Sequence, residues 1–178
     1  MQKRGQGREC LLEAARLEFE EFGFDGTNTN AIAKRACYAP QTFYRHFPDK
    51  TAIFLAVYQS WAIFEMRSVL EAKAADEIAN LLLNHHRAYR RFRRSLRTLT
   101  VTNQSVAQAR AQSRLKQINA YGAKLGSTDS AWILSMILKV ERLCDAIVDG
   151  EFEACGIEFE AARQQLIATL SAQPSTAD

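Results

Sequence analysis

The chain has 178 residues, 47% of them apolar, and carries 23 Lys and Arg against 20 Asp and Glu, a formal net charge of +3. That is enough for a hydrophobic core in one domain, or in a small domain joined to a larger one. No run of about 18 apolar residues is present, which argues against a transmembrane helix. Glu9, Glu13 and Glu18 interrupt the segment after the basic start, so a cytoplasmic protein is expected.

Cys10, Cys37, Cys144 and Cys155 are scattered, with no CxxC and no His at ligand spacing. Reduced, mostly buried thiols are expected, with no metal site and no cofactor. Charge is unevenly distributed. Between Ile78 and Thr128 ten cations meet no carboxylate, whereas from Asp129 onward nine acids face only Lys139, Arg142 and Arg163. Such a basic middle and acidic tail can pair within the fold, between subunits or with a ligand.

Helical periodicity runs throughout, and prolines occur only at 40, 48 and 174. In the first segment Leu11, Leu12, Ala15, Phe19 and Phe22 form an apolar stripe, which GFDG at 23–26 ends. TNTNAIAKRA then offers capping side chains and a short buried face of Ile32, Ala33 and Ala36. Pro40 suits a first helical turn, Thr42 to Phe47 form a second short helix, and Pro48 stops it. Asp49 can cap a long helix bearing Ile53, Phe54, Val57, Trp61 and Phe64. Two short helices behind a longer one make a three-helix helix-turn-helix. Further helices are expected near 50–72, 77–99, 103–125, 129–149 and 157–171, with a frayed SAQPSTAD tail.

The run LLEAARLEFEEFGFDGTNTNAIAKRACYAPQTFYRHFPDKTAIF resembles the DNA-binding domain of TetR-type transcriptional regulators. The resemblance covers residues 11 to about 54 and rests on several features in register. These are the first-helix stripe, Gly26 before a Thr-rich cap, IA in the second helix, and TFYRHFPDK. It implies an all-α fold: a helix-turn-helix DNA-binding domain over 1–50 and a larger helical effector-binding and dimerisation domain over 51–178.

Carried onto this sequence, the resemblance implies that Thr29 touches a phosphate and Asn30 lies near base edges. Pro40, Gln41 and Thr42 would begin the recognition helix, with Gln41 the candidate for reading adenine. Tyr44, His46 and Lys50 would hold the backbone, and Arg45 would read guanine or hold a phosphate. The charge agrees: from Thr27 to Lys50 there are four cations and one acid, and Lys3, Arg4 and Arg8 offer a basic arm. The sequence departs from the family's GVS turn, having Cys37, Tyr38 and Ala39 there, and sets Glu18 where an apolar residue is commoner. Each of these residues also has a plainer structural role open to it, as a cap for Asn30 and as packing for Tyr44 and His46. Phe43 and Phe47 are expected in the core.

In NHHRAYRRFRRSLRTL, a single helix would set His85, Tyr89 and Phe92 on one side as candidate ligand-binding residues. Arg87, Arg90, Arg91 and Arg94 would form the opposite, basic face. AWILSMILKVERLCDAIVDG is apolar around most of its circumference, so it must lie in the core or against a partner. The preferred reading is a dimer interface of Trp132, Ile133, Met136, Ile137, Val140 and Leu143, completed by Phe159, Leu166, Ile167 and Leu170 in a four-helix bundle.

The functional expectation is a homodimeric repressor that binds double-stranded operator DNA and is released by a small-molecule effector, with no membrane partner. The alternative is a DNA-binding regulator controlled by protein partners without an effector. An enzyme is disfavoured, since no nucleophile–base set, GxSxG, phosphate loop or metal-ligand spacing occurs.

Overall fold

The computed structural model describes residues 6–172. Lys3, Arg4 and most of the SAQPSTAD tail lie outside the described residues. The fold is all-α: α1 (Gln6–Phe22), α2 (Thr29–Arg35), α3 (Pro40–Tyr44), α4 (Lys50–Glu71), α5 (Ala75–Ala88), α6 (Arg90–Thr102), α7 (Gln104–Leu125), α8 (Ser130–Asp149), α9 (Glu151–Ala154) and α10 (Phe159–Leu170). Contacts divide the chain into two compact units. One runs to Ala62 and includes Arg91–Arg110; the other comprises Ile63–Arg90 and the residues from Ala111 onward. The breaks between these units fall inside α4, α6 and α7.

In the first unit, α1 buries Leu11, Ala14, Ala15, Glu18 and Phe19, while Phe22 is 46% exposed. The expected stripe therefore ends one turn early, and an acid takes the place of an apolar residue. Gly23 stops α1 in the left-handed conformation (φ 75°). Asn28 caps α2 through Oδ1, which accepts from the Ala31 N–H at 3.0 Å. Asp49 Oδ1 accepts from the Ala52 N–H at 2.7 Å at the start of α4. Phe54 stacks on Phe92 at 4.3 Å between centroids and meets Phe19 edge-on at 5.1 Å. These rings form the centre of this unit's core.

The helix expected over 77–99 is two helices. Tyr89, at φ −120° and ψ 27°, leaves the helical region and ends α5, and α6 starts at Arg90. The wheel that put His85, Tyr89 and Phe92 on one side does not survive this break. Phe92 is wholly buried in the first unit, whereas His85 and Tyr89 belong to the second, with rings 4.8 Å apart. The expected basic face divides too. Arg90 Nε donates to Asp149 at 2.7 Å, the Arg87 guanidinium lies 5.2 Å from the Phe159 ring centre, and Arg91 donates to the Glu21 carbonyl.

In the second unit α5, α8 and α10 pack together through Ala79, Leu82, Leu83, Cys144, Ala162 and Leu166. Asp129 caps α8 through the Trp132 N–H (2.9 Å). Much of the apolar surface of α8 is taken up by this core: Ile133, Ile137 and Val140 are buried by their own chain. Trp132, Met136, Leu143, Phe159, Ile167 and Leu170 are half-buried, Leu166 is fully buried, and Leu138 is 49% exposed.

Candidate functional site

The first unit presents the residues expected to meet DNA along the N-terminus of α2 and the outer face of α3. Phe43 and Phe47 are buried and anchor α3, so the side chains between them are directed outward. Pro40, Gln41, Tyr44 and Arg45 are exposed, as is Asn30, whereas Thr29, Thr42, His46 and Lys50 are half-buried. Among the described residues, no hydrogen bond or ion pair is made by the side chains of Gln41, Arg45 or Asn30. Because Asn28 supplies the α2 cap, Asn30 is not needed for that role.

Thr29 Oγ1 and Tyr44 Oη lie 3.0 Å apart. Their hydroxyls join the start of α2 to the end of α3, so the two groups assigned to phosphate stand side by side. His46 is held differently: a methyl group added at Gly7 would lie 3.2 Å from its Nε2, so the imidazole packs against the start of α1. Lys50 is engaged internally. Its Nζ donates to the carbonyls of Phe24 at 2.7 Å and Thr27 at 2.9 Å, and sits 4.2 Å from the Phe24 ring centre. Two of its three N–H donors thus hold the loop that leads into α2.

The turn between α2 and α3 departs from a glycine-containing one in a measurable way. Cys37 has φ 59°, the sole non-glycine with positive φ among the described residues. Left-handed backbone costs a side-chain-bearing residue about 1–2 kcal/mol. Ala39 is the N-cap residue of α3 and offers no side-chain acceptor. Glu18 supports the motif from below. Its carboxylate accepts from Thr27 Oγ1 at 2.6 Å and from Arg35 Nε at 2.6 Å, so one buried acid ties α1 to both ends of α2. Sequence pattern shows Glu18 only as an acid where an apolar residue is commoner, and gives no sign of its two partners.

The second unit contains a cavity of about 100 Å³. Val69, Leu82, Met136, Ile137 and Leu170 give it an apolar wall, with His86, Gln117 and Tyr121 among its polar groups. His85, Tyr89 and Phe92 are not among the lining residues. His85 instead joins α5 to α4, its Nδ1 2.7 Å from Glu65 Oε2, while His86 Nδ1 lies 2.9 Å from Asp145 Oδ1 on α8. The neighbour of the expected histidine reaches the cavity because the α5 register turns it toward α8. Burial and the nearby Glu65 carboxylate push the Tyr121 phenol well above its ordinary value, so it is neutral.

Residues 11–57 match the family model described as bacterial regulatory proteins, tetR family. No curated protein matches the chain by sequence. GusR from Salmonella enterica shares 20% identity, with 97% of this chain and 99% of that one covered and a TM-score of 0.70. A TetR-like transcriptional regulator from Rhodococcus sp. RHA1 shares 18% identity, with 96% of each chain covered and a TM-score of 0.66. A protein from Saccharomonospora viridis, described as a transcriptional regulator and solved in complex with choline, shares 16% identity, with 92% and 94% covered and a TM-score of 0.68. At such identities these likenesses speak for the fold. With the family signature over 11–57 and the helix-turn-helix those residues build, the N-terminal part of the chain carries the DNA-binding signature of the tetR family of bacterial regulatory proteins.

Proposed function

We propose that the protein is a homodimeric, cytoplasmic repressor that binds near-palindromic double-stranded operator DNA and leaves it when a small-molecule effector binds the second unit. The observation that carries the DNA-reading part is the outer face of α3. There Gln41 and Arg45 are exposed and have no side-chain partner among the described residues. Gln41 pairs with adenine in the major groove and Arg45 with guanine or phosphate. Thr29 and Tyr44 hold the backbone, with Asn30, Pro40, Thr42 and His46 beside them.

A dimer would set two recognition helices about 34–36 Å apart, one turn of DNA. Exposed Leu138, with half-buried Trp132 and Leu134, supports α8 as part of the subunit contact. The cavity supports an effector, as does the choline held by a protein of similar fold. An effector acts by binding more tightly to a dimer whose recognition helices are wrongly spaced for the operator.

Selecting bound DNA from a random pool, then screening compounds that release it, tests this reading. A near-palindromic consensus released by a compound supports it. Absence of any preferred sequence at moderate salt overturns it. A consensus that only a protein partner can release favours control without an effector.

A further inference from the structure

The charged groups Arg114, Glu65 and Lys124 around the cavity already have partners within the protein. Arg114 bonds to the Glu141 carboxylate and donates to Gln117 Oε1 at 2.9 Å. Glu65 is 8% exposed and meets His85 Nδ1 at 2.7 Å. Lys124 Nζ donates to the carbonyls of Val69 (2.9 Å), Leu70 (2.8 Å) and Ala72 (2.6 Å) at the end of α4. An ammonium has three N–H donors, and all three are used there.

A carboxylate ligand would share Arg114 with Glu141, and a cationic one would share Glu65 with His85, so neither meets an unengaged counter-charge. Two neutral groups are differently placed. Gln117 and Tyr121 lie four residues apart on α7 and so share a face, and both line the cavity. Among the described residues, no hydrogen bond is made by Tyr121 Oη or Gln117 Nε2.

Resting on the effector reading above, we propose that this cavity takes an uncharged molecule with an apolar end and one hydroxyl or carbonyl group. The apolar end lies against Val69, Leu82 and Met136. The oxygen accepts from Gln117 Nε2 and exchanges a hydrogen bond with Tyr121 Oη. At about 100 Å³ the cavity is smaller than the about 150 Å³ that holds benzene in another protein, so a chain of a few carbons fits.

The test uses the full-length protein and three four-carbon probes: butan-1-ol, butanoate and butylammonium. Binding is followed by calorimetry and ligand-observed magnetic resonance, and release of the selected DNA is measured separately. The alcohol is expected to bind at least about tenfold more tightly than either ion. Tyr121→Phe and Gln117→Leu, each checked for unchanged thermal unfolding, should each weaken the alcohol by about fivefold, the order of one hydrogen bond. Equal or tighter binding of either ion, no saturable binding of the alcohol, or indifference to both substitutions overturns the proposal. Alcohol binding that leaves DNA bound would sink the effector reading while leaving the ligand class intact. Release by butanoate alone would do the reverse.

Discussion

The Glu18 carboxylate and the Arg35 guanidinium meet at 2.6 Å beneath the helix-turn-helix, with Glu18 only 6% exposed. The same carboxylate takes the hydroxyl of Thr27, itself buried, so three segments depend on one acid. Glu18→Leu would fill the space but leave the Thr27 hydroxyl without an acceptor, at about 1–3 kcal/mol. Urea unfolding should show this loss, and Glu18→Leu combined with Thr27→Val should recover much of it. Additive losses in the pair would show that the two side chains are not coupled.

At the helix-turn-helix turn, Cys37→Gly should stabilise the protein by about 1 kcal/mol, because glycine adopts φ 59° without the steric penalty. Ala39→Ser should add about 1 kcal/mol by giving α3 the cap it lacks. Thermal unfolding of each variant and of the double variant checks both. A lowered midpoint for Cys37→Gly would mean the thiol makes compensating contacts.

On DNA, Gln41→Ala should lose about 1–3 kcal/mol of discrimination at one base pair. Tyr44→Phe should instead weaken binding to all sequences alike, since a phosphate contact carries no base identity. Lys50→Met should lower stability and affinity without changing the dependence of log K on log salt, because its ammonium holds the Phe24 and Thr27 carbonyls. A slope reduced by about one unit would return Lys50 to the phosphates.

Tyr121 predicts behaviour at alkaline pH. Its folded value is raised, by burial first and by Glu65 second, above the ordinary tyrosine value of 10.0. The stability it contributes is complete below the unfolded value and is lost as pH rises above it toward the folded one. Above pH 10 the native protein should therefore lose stability faster than Tyr121→Phe does. Phenolate absorbance should show one tyrosine withheld until unfolding.

Leu138, half exposed on α8, tests the subunit contact. Leu138→Glu should shift a dimer toward monomer in sedimentation and reduce cooperative operator binding. An unchanged mass would remove α8 from the interface.

The three-helix motif was legible in the sequence because its signals are local. Asp49 caps α4, Pro40 opens α3, and Phe43 and Phe47 are spaced to bury together. The departures at 37 and 39 were legible too, as a missing glycine and a missing serine, and the structure gives them a left-handed φ and an empty cap.

What the sequence could not decide is which partner each charged or aromatic side chain meets, since contacts across tens of residues leave no periodicity. Glu18 reads as a weak point in α1 until Thr27 and Arg35 are brought to it. Lys50 reads as a phosphate contact, and nothing in the pattern shows that two carbonyls also hold its ammonium. One continuous wheel joined His85 to Phe92, but Tyr89 leaves the helix and the two residues enter different cores. The apolar circumference of α8 was plain in the sequence. Only packing against α5 and α10 showed how much of it a single chain can bury. Local steric preferences are written residue by residue, whereas burial and charge pairing are settled by what the folded chain brings within a few ångströms.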